Sequence, residues 1–506
     1  MIAVSEEWKE VQQRFLLPET HIEIDCTVTE FGVQESAQIS GTNEADITTT
    51  ISTLYDTPKT VKYATNELNL WALDGTRVIV PDEAPYADTG YVSETDATGS
   101  IIVTLPEVHT GSTAGVTITW GGRYDEYPSA FEIIAKNGTE VVTSKKIEGN
   151  TSQVTAIFAK LQNYDSITVN VLEWGLPYRR VRIERFVIGH TMTFTKSDIF
   201  SYTHEQMGHL NSGELPKNSI SFTLDNTDDR WNPHNPAGME QYLSERQRLK
   251  VRYGLDVNGT IEWIKAGTFY LSEWRVPSNG LEASFVARDI FEYFLNEQYA
   301  GASSGTLYNL IIDAFDSAGV PDDFEYSLSP TLRNYTATLP DGEKTCAEVI
   351  QMCANAGMCV IHQDREGVLH IGPLNKINTG YVVPLSLSYS HPEIELSKPL
   401  KNVSVQYGDN EHWVLSVGDV GETQTVNNPL VSNSVQASSI AQWVRDTLST
   451  RKTISGEYRA DPRLDLFDIA IVQSKYGELP NVAITDIKYT YNGSFKGSYK
   501  GRVLEV

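Results

Sequence analysis

The sequence predicts a mainly β, multi-domain protein with one small α+β domain. Short runs of alternating apolar and polar residues recur along most of the chain, as half-buried strands require. Between residues 301 and 375 the period lengthens to that of amphipathic helices. At 506 residues the chain is long enough for several separate cores, and its 40% hydrophobic and 21% charged residues fit folded protein.

The elements follow in order. Residues 1–60 open with a helix over Ser5–Phe15. A strand carrying Ile22, Ile24 and Cys26 follows, and the Thr/Ile-rich stretch Ile47–Leu54 makes another. Residues 61–180 contain the short runs Ile101–Leu105, Val116–Trp120, Phe131–Ala135, Val154–Phe158 and Ile167–Leu172 between turn residues, the pattern of a two-sheet sandwich. Asn137-Gly138 reads as a hairpin turn.

Residues 181–300 read as a β-barrel of about six strands. Their most informative part is Ser212–Gly254, where Ile220, Phe222 and Leu224 alternate with Ser219, Ser221 and Thr223. An Asp/Asn run, Pro233 and Pro236, and a short helical patch at Met239–Leu243 come next. A second strand then sets Leu249, Val251 and Tyr253 against Arg248, Lys250 and Arg252.

In residues 301–375, Leu307, Leu310, Ile311, Ala314 and Phe315 fall on one helical face, ended by Gly319 and Pro321. Thr345 and Glu348 form a capping box for a second helix that Gly357 stops. A hairpin turning at Asp364–Gly367 completes the α+β domain. Residues 376–506 return to strands, with one helix marked by Ile440, Trp443, Val444 and Leu448 and a hairpin turn at Asn492-Gly493, and read as a second barrel. Tyr253-Gly254 and Tyr407-Gly408 form a weak echo between the two barrel regions.

Composition excludes some functions. A net charge of -26 argues against binding nucleic acid by phosphate neutralisation. It suits an acidic wall past which a polyanion slides, or simply keeps the protein soluble. Four cysteines are too few for a disulfide scaffold. Glu6, Glu7 and Glu10 stand where a signal peptide needs basic residues, and no apolar run nears the ~18 residues of a membrane span. Synthesis in a cytoplasm is expected.

Candidate chemistry is sparse. His204-Glu205 and His209 miss the zinc-protease spacing: histidines five apart on a helix point about 140° from each other, and a loop is expected there. Gly301–Gly305 matches G-x-S-x-G around Ser303, but no buried strand precedes it, and a loop capping a helix fits better. Asp225–Arg230 lacks the glycine of a calcium loop and reads as an Asx-type turn. Cys346, Cys353 and Cys359 read as buried small hydrophobes. No catalytic residue, cofactor or metal site is expected. Trp120, Tyr124 and Tyr127 are candidate sugar-stacking aromatics, weighed against an ordinary core role. Arg180 and Arg182, in the one dense basic run, are candidates for a subunit interface in so acidic a chain, or for a solvated strand edge.

The succession of strand, acidic turn, Trp231-Asn232-Pro233, Glu245-Arg246-Gln247 and strand resembles a segment of bacteriophage tail-tip or baseplate hub proteins. Tyr63–Thr76 and Tyr91–Ser93 resemble a carbohydrate-binding-like sandwich often inserted in such proteins. The resemblance implies a non-enzymatic virion protein: a homotrimer whose two barrels per subunit form a pseudo-sixfold ring. It further implies contacts with distal tail, tape-measure and receptor-binding proteins, and a channel that DNA traverses without specific binding. No hydrolase or fibre follows the closing strands before Val506, so separate subunits are expected to supply those activities. The alternative expectation is an adhesin that binds host cell-wall polysaccharide through residues 61–180.

Overall fold

Alternation dictates strands along most of the chain, and the computed structural model describes residues 2–14, 19–28, 37–41, 64–65, 100–110, 113–120, 127–173, 182–232, 234–235, 243, 245–277, 280–321, 324–408 and 411–504. The expected strand at Ile47–Leu54, the stretch Tyr91–Ser93, and nearly all of Tyr63–Thr76 and Met239–Leu243 lie outside these residues. The described residues are mainly β and form several sheets. The chain divides into two compact units: one comprises Met1–Asp25, Thr193–Glu240 and Arg248–Val506, the other Cys26–Met192 and Gln241–Gln247.

The early strands are β1 (Thr20–Val28), β2 (Gln38–Gly41), β3 (Ala64–Thr65), β4 (Ser100–His109), β5 (Thr113–Trp120), β6 (Ala130–Asn137), β7 (Glu140–Glu148), β8 (Val154–Leu161), β9 (Tyr164–Glu173), β10 (Arg182–Ile188) and β11 (His190–Thr195). In the Cys26–Met192 unit they form two sheets, β2-β4-β9-β6-β7 and β3-β10-β5-β8. Val103, Phe131 and Val169 from one sheet and Ile118, Ile157 and Phe186 from the other share a single apolar core. The unit is thus a sandwich, and it reaches beyond residues 61–180. β2 pairs with β4, and β10 pairs with β5, because Ile183, Phe186 and Ile188 complete that core. Asn137-Gly138 turns the β6–β7 hairpin, with Gly138 at φ +58°.

The later strands are β12 (Ile199–Met207), β13 (Lys217–Asp225), β14 (Arg248–Val257), β15 (Thr260–Arg275), β16 (Glu282–Arg288), β17 (Ser304–Thr306), β18 (Tyr326–Leu328), β19 (Thr336–Thr338), β20 (Val360–Gln363), β21 (Leu369–Gly372), β22 (Asn378–Val383), β23 (Glu393–Leu396), β24 (Leu400–Tyr407), β25 (Glu411–Ser416), β26 (Glu422–Val426), β27 (Lys452–Arg459), β28 (Ile469–Ser474), β29 (Gly477–Tyr491) and β30 (Phe495–Val503). One 13-stranded sheet runs β11-β1-β14-β15-β16-β13-β12-β29-β30-β27-β23, with β28 on β29 and β22 on β28. The strand groups expected in two barrels are therefore neighbours in one sheet. They meet where β12 pairs antiparallel with β29, from Tyr202↔Tyr491 to Met207↔Asp486. β1 and β11, the strands on either side of the sandwich in the chain, lie next to each other in this sheet, where the Thr193 hydroxyl donates to the Asp25 carboxylate.

The Tyr-Gly echo does not mark equivalent places. Gly254 lies within β14, where an added Cβ would stand 2.8 Å from Ile261 and 2.9 Å from Trp263. Tyr407 ends β24, in a separate sheet ordered β25-β24-β26.

The helices follow their sequence signals closely. The N-terminal helix spans Glu6–Gln13, capped by Ser5 and ended by extended Arg14, so it is shorter than Ser5–Phe15. Helix Leu307–Ala318 buries the five apolar residues of its face, takes Thr306 as N-cap and ends at left-handed Gly319. Helix Cys346–Ala356 carries the Thr345/Glu348 capping box, which satisfies two helix-end N–H groups reciprocally. β20 and β21 form the expected hairpin, extended by β18. Thr345→Ala should remove the cap and lower stability by about 1 kcal/mol in urea denaturation, without changing secondary-structure content.

Candidate functional site

The buried side of β12 carries a cluster of hydrogen-bonded polar side chains. Strand alternation sends Tyr202, His204 and Gln206 inward and Ser201, Thr203 and Glu205 outward. The expected loop at His204 is thus a strand. His204 Nδ1 lies 2.8 Å from the Tyr253 hydroxyl, and Nε2 lies 2.9 Å from Asn218 Oδ1. The Asn218 oxygen can only accept, so Nε2–H donates to it and Nδ1 accepts the Tyr253 proton. Tyr253 in turn lies 2.8 Å from the Tyr202 hydroxyl. Strands β12, β13 and β14 are bolted together through one imidazole.

A guanidinium enters the same region from the β20–β21 turn. Arg365, 3% exposed, donates to the carbonyls of Pro462 and Leu464 and to Asp465 Oδ1 at 3.4 Å. It also lies 5.8 Å from the ring centre of Tyr489 on β29. Tyr489 donates its hydroxyl toward the carbonyls of Leu464, at 3.0 Å, and Asp461, at 3.2 Å. Asp465 also accepts from Gln206 Nε2. The α+β segment, the 461–465 turn and both halves of the sheet meet here.

Burial sets the charge states. It drives His204 down to about 4, and nearby Arg365 pushes the same way, so the ring is neutral. Burial, with His370 beside it, holds His362 at about 4 as well. Burial opposes the charge on Arg365, but Asp465 and the surrounding tyrosines keep it firmly protonated. For Asp465 burial likewise opposes charge, and Arg365 prevails to hold its carboxyl below the usual range. Asp289, buried beside Asn218, is pushed up to about 7 by desolvation.

This arrangement positions strands. His204 and Tyr253 are fully buried with their hydrogen bonds made, so no reacting group can reach them. Ser303 lies just before β17, and the helix that follows is capped by Thr306. Asp225–Arg230 forms Asx-type turns: Asp225 Oδ1 accepts from Thr227 N–H at 2.9 Å, and Asp228 Oδ1 from Arg230 N–H at 3.2 Å. Cys346, Cys353 and Cys359 are buried free thiols. Among the described residues, no group of three or more His, Cys, Asp or Glu side chains is placed to hold a metal.

Of the aromatic candidates for sugar binding, Trp120 does not lie on a surface. Trp120 is fully buried, edge-on to Phe131 at 5.1 Å, and its indole N–H donates to the Thr155 hydroxyl at 3.2 Å. An indole in this position has no free face for a sugar. Tyr127 packs partly buried against the same core, and Tyr124 lies outside the described residues. Arg180 also lies outside them, and Arg182 begins β10, paired with Thr65. Sequence reasoning missed the Tyr202–His204–Tyr253 network and Arg365. The alternation Tyr202, His204, Gln206 was the available signal.

Comparison with known proteins places this geometry in context. No protein-family model matches the chain, and no curated protein matches it in sequence. Solved structures similar to it include tail proteins of prophages. The 43 kDa tail protein of prophage MuSo2 from Shewanella oneidensis shares 11% identity over 62% of this chain and 95% of its own, with a TM-score of 0.43. The tail protein from Neisseria meningitidis MC58 shares 11% over 62% and 94%, also at 0.43. Prophage tail protein gp18 from Listeria monocytogenes EGD-e shares 10% over 63% and 93%, at 0.42.

Two outcomes test the energetics of the junction. Arg365→Met leaves the part-buried Asp465 carboxylate, 17% exposed, without its cation and should cost about 3 kcal/mol, the low end for breaking a buried pair, in denaturant titration. The pH dependence has a definite sign. His204 and His362 have folded values near 4, below the 6.5 of a free imidazole, so the folded state binds fewer protons between those values. Their stabilisation is complete above 6.5 and is lost as pH falls through 4. Asp289, raised from 3.8 to about 7, works oppositely and offsets part of the loss. Thermal melts should therefore fall with acid across that window, and His204→Gln should flatten the slope.

Proposed function

We propose that the chain is a structural, non-enzymatic hub of a phage tail tip or baseplate. The observation that carries this reading is the pairing of β12 with β29, which fuses the 199–288 and 452–503 strand groups into one sheet. A subunit built this way presents two strand-rich halves in a fixed relation. Three copies then supply six halves, matching a sixfold tube above to a threefold tip below. The outward face at the join supports a wall rather than a catalytic pocket. Glu205 bridges Lys217 at 2.9 Å and Lys488 at 2.8 Å across three strands. An open trough of about 620 Å³ beside them is lined by Ser455, Ser498, Lys500 and Glu393 among others. Partners in this reading are distal tail, tape-measure and receptor-binding proteins, with DNA passing the ring unbound.

Mass photometry of the purified full chain, with electron microscopy of tails labelled within the sandwich, tests the proposal. Trimers in solution and three labels at the tail tip are expected. A protein that is monomeric both free and in assembled tails overturns it.

A further inference from the structure

We propose that Arg365 and its flanking histidines form an acid-operated latch. Protons added at His204 and His362 expel Arg365 from the 461–465 turn and release the Leu307–Gly372 segment from the sheet, while the sandwich unit stays folded.

The argument rests on how few negative charges this site holds. Arg365 is one buried cation matched by one carboxylate, Asp465. His204 is surrounded by Tyr202 on its own strand, Asn218 on β13, Tyr253 on β14, Phe269 on β15 and Tyr489 on β29, with Arg365 and Asp465 as the charges acting on it. None of the hydrogen bonds to its ring comes from a carboxylate. His362 on β20 stacks on His370 of β21 at 5.1 Å and meets Phe467 edge-on at 5.4 Å. Its Nδ1 is buried with no hydrogen-bond partner. The carboxylates near it are Asp364, which is already engaged by His370 at 2.7 Å, Asp465, and Asp468, which lines the same pocket and accepts from the Asp465 N–H at 2.9 Å. A proton on His204 places a second cation near Arg365, and a proton on His362 draws on Asp465, the same carboxylate that answers Arg365.

Two further features direct the release. Phe467, against which His362 packs, holds a left-handed backbone at φ +62°, a conformation a bulky side chain keeps only while packing enforces it. The other ties between the segment and the sheet unit include neutral bonds: Asn355 to the Asn211 carbonyl at 2.8 Å, the Ser212 hydroxyl to the Cys359 carbonyl at 2.7 Å, and Ile290 N–H to Gln363 at 2.9 Å. The core of the sandwich is packed from aliphatic and aromatic side chains, with His109 edge-on to Tyr164 at 5.4 Å.

The buried thiols report the opening. Cys353 and Cys359 are fully buried in the segment. The full chain is treated with dithiodipyridine, which reacts with thiols in acid, across about pH 7 to pH 4. Labelled cysteines are located by peptide mass spectrometry, and sandwich integrity is followed by protease resistance. Labelling of Cys353 and Cys359 should rise below about pH 5 with the sandwich intact. In a His204→Gln, His362→Gln double variant the onset should move down by about one pH unit, a tenfold loss of labelling near the parent midpoint. Labelling identical in parent and variant overturns the latch, as does labelling that appears only when the sandwich is also cut. If the double variant does not fold, His362→Gln alone, at the hairpin, must still lower the onset; an unchanged onset overturns the proposal equally.

Discussion

The larger unit depends on the antiparallel pairing of β12 with β29. These strands are far apart in the chain, as the Glu205–Lys488 pair shows at a separation of 283 residues. Closing so long a loop is entropically unfavourable, so the join must be made by several interactions at once. On the outer face Glu205 binds Lys217 and Lys488, an exposed arrangement worth little by itself. On the inner face the rings of His204, Tyr253 and Tyr489 lie within 6.4 Å of one another, and Arg365 closes the cluster from outside the sheet. Main-chain pairing supplies the length of the contact, and the buried polar cluster supplies its register.

That cluster is an all-or-none device. A buried guanidinium with its donors placed on carbonyls and a carboxylate is tolerable; the same group with one partner missing is not. The hairpin turn, the 461–465 turn and Tyr489 must therefore be formed together. Specificity follows from this cost, because a sheet slipped by one residue would turn His204 toward solvent and Glu205 toward Arg365 and Tyr253.

Local structure was largely legible in the sequence. The helix at Leu307–Ala318, the capping box at Thr345, the Asx turns after Asp225 and the glycine hairpins each depend on residues a few positions apart. What was hidden depended on distance. Nothing near Arg365 separates a buried arginine in a tight turn from a solvated one, since its partners lie about a hundred residues downstream. His204 was measured against helical metal spacing, although its neighbours already alternated as a strand. Trp120 could be weighed between sugar stacking and core packing but not decided, because the Phe131 ring that covers it comes from the opposite sheet. The basic run around Arg182 looked like the start of a new domain, while Ile183 within it was filling the sandwich core.

The neighbouring positions of β1 and β11 carry a consequence for how such a chain can change. The polypeptide leaves the sheet at one strand and rejoins it on the next, about 5 Å away. To the sheet, the whole Cys26–Met192 unit is a hairpin turn grown to the size of a domain. Loop-closure entropy rises only with the logarithm of length, so lengthening, shortening or exchanging that turn barely alters the frame that holds it. The architecture separates a frame from an attachment whose size the frame does not set.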